Sequence, residues 1–89
     1  MWRDDALVLI DNYLAGSMGV ADFCAAFEES WNFDRPSDQP LGAEESVFKR
    51  IFDAAVWYSP IEEERKRIPG YLDEAAIQVT VRNARDELR

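Results

Sequence analysis

A chain of 89 residues is long enough for one domain, here residues 1–89, and 47% hydrophobic with 12% aromatic residues is a core-forming composition rather than that of a disordered tail. The 18 acidic residues outnumber the 10 basic ones, which gives a formal net charge of −8 at pH 7. A charge of this sign opposes direct binding to nucleic acids or to anionic membrane surfaces, and it favours a basic protein as the partner.

The charge is unevenly distributed along the chain. Residues 1–64 hold 14 acidic and 4 basic residues, whereas residues 65–89 hold 4 and 6. The single cysteine, Cys24, can form no intrachain disulfide and lies on an apolar helical face, as expected of a small buried side chain in a reducing compartment. Acidic residues interrupt the N-terminal apolar stretch, and no stretch approaches the roughly 20 apolar residues of a membrane span. We therefore predict a cytoplasmic protein.

Two amphipathic helices are predicted first, joined by a short turn. One covers about residues 4–15, with Asp4 as its N-cap and with Gly16 closing it in the left-handed conformation. The other covers about residues 20–31, and a proline-bearing loop over residues 32–42 follows. The inward-facing side chains of these two helices are predicted to be Leu7, Ile10, Tyr13 and Leu14, then Val20, Phe23, Cys24, Phe27 and Trp31.

The third predicted helix begins near Ala43 and ends near Tyr58, because Pro60 restricts the preceding Ser59 to an extended conformation. Trp57 lies off its buried face. That face is predicted to consist of Phe48, Ile51, Phe52, Ala55 and Val56. The proline is followed by an acidic corner made of Glu62, Glu63 and Glu64.

A fourth helix is predicted to begin after Asp73 as N-cap, with Leu72 packing on Ile77. No segment alternates as a strand does. We therefore predict an all-α fold, a small antiparallel four-helix bundle. Its predicted core is Leu7, Ile10, Leu14, Phe23, Phe27, Phe48, Ile51, Phe52, Val56, Ile77, Val81 and Leu88.

No catalytic constellation is recognisable in the sequence. The chain has no histidine, Cys24 has no basic neighbour in sequence, and no glycine-rich phosphate loop is present. Adjacent acidic residues on a helix point in different directions and cannot face one another across a substrate. We therefore predict a protein that is not an enzyme, with no cofactor and no metal site.

Several short segments occur in a characteristic order between about Leu7 and Leu88. They are Tyr13-Leu14-Ala15-Gly16, an amphipathic helix from Phe23 to Trp31-Asn32, a proline-bearing loop, Ile51–Val56, Tyr58-Ser59-Pro60, Arg65 and Leu72-Asp73. This ordered set resembles the colicin D immunity-like family of bacterial self-protection proteins, which includes immunity proteins of contact-dependent growth inhibition. The resemblance implies a non-enzymatic helical bundle that binds and neutralises the C-terminal nuclease domain of a cognate toxin, such as a tRNA-cleaving ribonuclease.

The resemblance also implies where the partner binds. The family's inhibitory acids imitate phosphates and flank the proline after the third helix, so the corresponding acids here are displaced to Asp53 on one side and the corner glutamates on the other. The predicted partner-binding residues are Asp53, Trp57, Tyr58, Glu62, Glu63 and Glu64. Trp57 has the character of an aromatic interface anchor.

Plainer interpretations stay open. In these interpretations the glutamates are simply exposed to solvent, Tyr58 closes the core, and Trp57 packs on loop 32–42. The chain as a whole is then a helical adaptor or oligomerisation module in which Trp57 and Tyr58 form a self-interface. A DNA-binding antitoxin is opposed by the acidity.

Overall fold

The computed structural model describes residues 2–35 and 42–88. Five α-helices occur in these ranges, and a π-helical segment, Ser30–Asp34, continues the second. The helices are α1 (Trp2–Leu14), α2 (Val20–Glu29), α3 (Glu44–Val56), α4 (Glu62–Arg67) and α5 (Glu74–Glu87). No β-strand is present among the described residues, where the only sheet-like pairing is a bridge between Tyr58 and Leu72. The predicted all-α fold is confirmed.

The four long helices pack as a ring. Helix α1 contacts α2, α2 contacts α3, α3 contacts α5, and α5 contacts α1. A helical bundle is consistent with this ring, while the antiparallel order of its helices stays a prediction. Within residues 2–35 and 42–88, no helix is long and apolar enough to cross a bilayer.

Most of the predicted core is buried. The buried members are Ile10, Phe23, Phe27, Phe48, Ile51, Ile77, Val81 and Leu88, and those packed against them while partly exposed are Leu7, Leu14 and Phe52. Val56 was wrongly placed, since its side chain is 49% exposed. It follows Ile51 by five residues, which puts it about 140° further round the helix. Ala54, which was not predicted, completes the buried face together with Ala55, which was predicted on it.

The beginning of α1 also differs from the prediction. The helix starts at Trp2, so Asp4 lies in its first turn rather than at the N-cap. The indole ring of Trp2 is buried, and it packs edge-to-face on Phe48 with a centroid distance of 5.0 Å. Its Nε1–H donates to the Ser30 hydroxyl at 2.8 Å. Trp2 therefore belongs to the core, which the sequence pattern did not indicate.

Two predicted helix boundaries are confirmed. Gly16 has φ +83°, the left-handed conformation that favours glycine at the end of a helix. Asp73 is the N-cap of α5, since its Oδ1 accepts a hydrogen bond from the Ala76 N–H at 2.8 Å. The chain stays helical to Asp34, so the predicted loop starts later, and residues 36–41 of that loop lie outside the described residues.

Cys24 is confirmed as a buried side chain, and we expect its thiol to be unreactive in the folded protein. Burial raises its pKa to about 11, compared with roughly 8.5 for an exposed thiol. Because the thiolate is the nucleophile, alkylation by iodoacetamide at pH 8 should be about two orders of magnitude slower in the native state than in denaturing urea. Equal alkylation rates in the two states would contradict the burial of Cys24.

Candidate partner-binding site

The backbone leaves the helical conformation at Trp57, so the helix ends two residues earlier than predicted. The Trp57 N–H donates to the Ala54 carbonyl at 3.1 Å and so caps the helix. The Trp57 carbonyl then accepts the Leu72 N–H at 2.7 Å, and the Ser59 N–H donates to the Leu72 carbonyl at 3.0 Å. This pairing with the segment before α5 holds residues 57–59 out of the helical conformation, so α3 ends at Val56.

Ser59 ties this turn to the start of α4. Its side chain is buried, and its hydroxyl donates to Glu64 Oε2 at 2.8 Å. The Ile61 N–H donates to the same hydroxyl at 3.3 Å, and Arg65 Nη1 donates to the Ser59 carbonyl at 2.6 Å. Glu64, one of the predicted partner-binding residues, therefore has a structural contact that holds the start of α4 in place.

We expect Ser59→Ala to lower the free energy of unfolding by about 1–2 kcal/mol, because the substitution removes two hydrogen bonds at a buried position. Urea denaturation followed by circular dichroism measures this difference. Ser46→Ala is the matched control, since Ser46 is exposed and its hydroxyl only donates to the Ala43 carbonyl at 3.2 Å. A Ser59→Ala cost no larger than that of the control would contradict the role of the Ser59 contacts.

The acidic corner is a short helix rather than an irregular turn. In α4 the first turn holds Glu62, Glu63 and Glu64, and the last turn holds Arg65, Lys66 and Arg67. This order complements the helix dipole at both ends. Lys66 Nζ also lies 3.3 Å from Glu62 Oε1, at the i,i+4 spacing. Because α4 has no buried residue, its glutamates are held at the surface.

Trp57 is half-exposed and packs on the turn before α5. Its ring lies 5.8 Å from the ring of Tyr71, measured between centroids. A Cβ atom added to Gly70 would approach the Trp57 ring to 3.3 Å, so the absence of a side chain at Gly70 leaves space for the indole. Among the described residues, the 70–71 turn packs on the Trp57 ring, whereas residues 36–41 of loop 32–42 lie outside them.

Asp53 and Trp57 line one open groove between α3 and α5. The groove has a volume of about 480 Å³, and its other lining residues are Arg50, Ala54, Gly70, Leu72 and Thr80. Lys49 Nζ lies 3.4 Å from Asp53 Oδ2, and both side chains are more than half exposed. Arg50 forms two hydrogen bonds with the Glu87 carboxylate, so its charge is balanced within the protein. The structure therefore brings two of the six predicted residues together.

Tyr58 lies apart from this groove. Its side chain is half-buried and packs against the core. Burial raises the pKa of the Tyr58 phenol, and the nearby Cys24 and Glu74 raise it further. The plainer interpretation, in which Tyr58 closes the core, agrees with this placement. The six predicted residues thus separate into Asp53 and Trp57 in the groove, Tyr58 on the core, and three glutamates on α4.

The predicted acids of the site, Asp53 and the glutamates of α4, are all exposed to solvent. Within the described ranges no three cysteine or acidic side chains come close enough to hold a metal ion. Sequence analysis missed Ser59 and Gly70 as parts of the site, although the proline after Ser59 and the Pro69-Gly70 pair both marked turns.

Comparisons of the chain with protein-family models, curated proteins and solved structures find no match.

Proposed function

We propose that this chain is an immunity protein that binds and neutralises the nuclease domain of a cognate bacterial toxin, in particular a tRNA-cleaving ribonuclease. The observation that carries the proposal is the run of three exposed glutamates in the first turn of α4, which Ser59, two residues after the half-exposed Trp57, fixes through Glu64. Nuclease active sites are basic because they bind phosphates, and carboxylates aimed at lysine and arginine side chains form charge-assisted hydrogen bonds. An acidic surface bound over such a site therefore blocks the access of the nucleic-acid substrate.

The distribution of ion pairs supports an acidic binding surface. Six basic side chains of the described ranges form ion pairs with acidic residues of the chain itself, namely Arg3, Arg35, Lys49, Arg50, Lys66 and Arg85. Each pair leaves the net charge of −8 unchanged. The excess of carboxylates therefore remains available to a basic partner, and it accelerates diffusional encounter with that partner.

Charge reversal on α4 should slow the association. We expect the double variant Glu62→Lys and Glu63→Lys to bind the toxin domain about tenfold more slowly at low salt, with a weaker dependence of the association rate on salt. Stopped-flow mixing with the purified toxin domain measures the rate. Glu64 is left intact because it holds Ser59.

The matched control for this prediction is the double variant Asp4→Lys and Asp5→Lys. These exposed acids also lie in a first helical turn, that of α1, and either double variant changes the net charge from −8 to −4. Equal slowing by both variants would show that only the total charge matters, and it would contradict the placement of the site on α4.

Co-expression tests the function itself. The chain is expressed together with the toxin domain encoded by a neighbouring gene, and growth and total tRNA are compared with those of cells that express the toxin domain alone. Rescue of growth with intact tRNA is the expected result. Rescue of growth without any tRNA cleavage in the unprotected cells would support the immunity function but contradict a tRNA-cleaving ribonuclease as the toxin. No rescue by a well-expressed, folded chain would contradict the proposal.

The second candidate function is a helical adaptor or oligomerisation module. One observation favours it, namely a set of exposed apolar side chains near the end of α3 and on either side of α4: Val56, Trp57, Ile61 and Ile68. Sedimentation over a range of concentrations separates the two functions, because a self-associating chain would favour the adaptor.

A further inference from the structure

The protein holds one of its own guanidinium groups between an aromatic ring and a carboxylate. The Cζ atom of Arg35 lies 3.9 Å from the centroid of the Trp31 ring. Nη1 of the same arginine donates to Glu45 Oε1 at 2.9 Å. A planar guanidinium satisfies both contacts at once, because it stacks on the ring while its N–H groups point outward to the carboxylate.

The groove between α3 and α5 presents the same two elements. Trp57 offers a half-exposed indole, and Asp53, one helical turn earlier on α3, offers an exposed carboxylate. Among residues 2–35 and 42–88 the only cation over an aromatic ring is Arg35. Gly70 packs against the Trp57 ring and sets its position.

The charged neighbours of the groove leave room for an added cation. The charge of Arg50 is balanced by Glu87. Lys49 approaches Asp53 only to 3.4 Å, with both side chains exposed, and exposed pairs of this kind contribute little and exchange readily. The volume of about 480 Å³ lies in the range of small-ligand pockets and accommodates a long side chain.

We propose that this groove binds an arginine side chain of the protein partner, with its guanidinium stacked on Trp57 and hydrogen-bonded to Asp53. The inference rests on the proposed function in that the arginine belongs to the toxin domain. A purely apolar side chain would leave Asp53 unused. A second copy of the chain is disfavoured, because two molecules of net charge −8 repel one another.

The test uses the isolated protein and needs no toxin. The ¹⁵N-labelled chain is titrated with N-acetyl-arginine amide, and the three tryptophan indole N–H signals are followed by NMR. The Trp57→Phe variant identifies the signal of Trp57. We expect a saturable shift of that signal, with a dissociation constant of about millimolar for so small a ligand. N-acetyl-lysine amide and N-acetyl-norleucine amide, which lack the planar guanidinium, should bind more weakly.

The Asp53→Asn variant should weaken arginine binding about threefold or more, whereas Asp22→Asn, an exposed acid on α2, should leave it unchanged. Equal binding of the norleucine or lysine amide, an unaffected Trp57 signal, or an unchanged affinity in Asp53→Asn would overturn the proposal. So would concentration-dependent dimerisation that shifts the same signal. The two proposals fail separately: a chain that binds arginine without rescuing growth refutes immunity, and one that rescues growth without binding arginine refutes the groove.

Discussion

Replacing Phe48 with alanine is expected to lower the free energy of unfolding by about 3–5 kcal/mol. Phe48 is fully buried on α3, and its ring packs edge-to-face on Trp2 at 5.0 Å. Truncation removes apolar area from the core and leaves a cavity that the surrounding helices can fill only in part. Because a domain of 89 residues has a total stability of about 4–13 kcal/mol, this single change removes a large part of it.

Phe33→Ala is the control for the same chemical change at the surface. The Phe33 side chain is 81% exposed in the π-helical segment, so its truncation should change the free energy of unfolding by less than about 0.5 kcal/mol. Urea denaturation followed by circular dichroism at 222 nm compares the two variants without using the fluorescence of the neighbouring tryptophans. Similar costs for both variants would contradict the burial that the structure assigns to Phe48.

Helical periodicity predicted the core well where large side chains recur on one face. Phe48 and Ile51 on α3 and Ile77 and Val81 on α5 are all buried as predicted. Periodicity failed at Val56, which is half-exposed, and at Ala54, which is buried although it was left out of the predicted face. Alanine side chains at helix contacts allow close approach of the backbones, which apolar size alone does not indicate.

The short helix α4 and the π-helical segment could not be predicted in the same way. Helix α4 has no buried face and is too short to be stable in isolation, so its formation depends on the contacts of Ser59 with Glu64 and Arg65. The π-helical segment begins at Ser30, whose hydroxyl and carbonyl both accept from the Trp2 indole, 28 residues away. Contacts between residues so far apart in sequence cannot be predicted from the local pattern of apolar and polar residues.

The candidate site was predictable only in part for a similar reason. Asp53 lies in the last turn of α3 and Trp57 is the C-cap four residues later, so the spacing of the predicted helix already places them on one face. The opposite wall of their groove comes from Gly70, Leu72 and Thr80, which the bridge between Tyr58 and Leu72 brings into position. Sequence analysis found both polar and aromatic components of the groove but not the wall that makes it a groove.

If the chain binds a toxin domain as proposed, replacing Trp57 with alanine should weaken that binding by about 2–4 kcal/mol, or roughly 30- to 900-fold in the dissociation constant. A half-exposed tryptophan held against Gly70 is a preorganised anchor, and most of the loss should appear as faster dissociation. Surface plasmon resonance with immobilised toxin domain measures both rates. The control is Val8→Ala, an exposed apolar truncation on α1 away from the groove, which should leave the affinity unchanged.

Trp57→Phe distinguishes an aromatic anchor from a merely apolar one. It keeps an aromatic face with a smaller area, so its affinity should fall between those of the parent protein and Trp57→Ala. Because Trp57 also packs on Tyr71, the melting temperature of each variant must be measured, and binding compared well below it. If Trp57→Ala binds as tightly as Val8→Ala while remaining folded, the glutamates of α4 carry the recognition and the groove takes no part in it. A loss confined to the tryptophan variants would instead place the strongest contact of the complex beside Asp53.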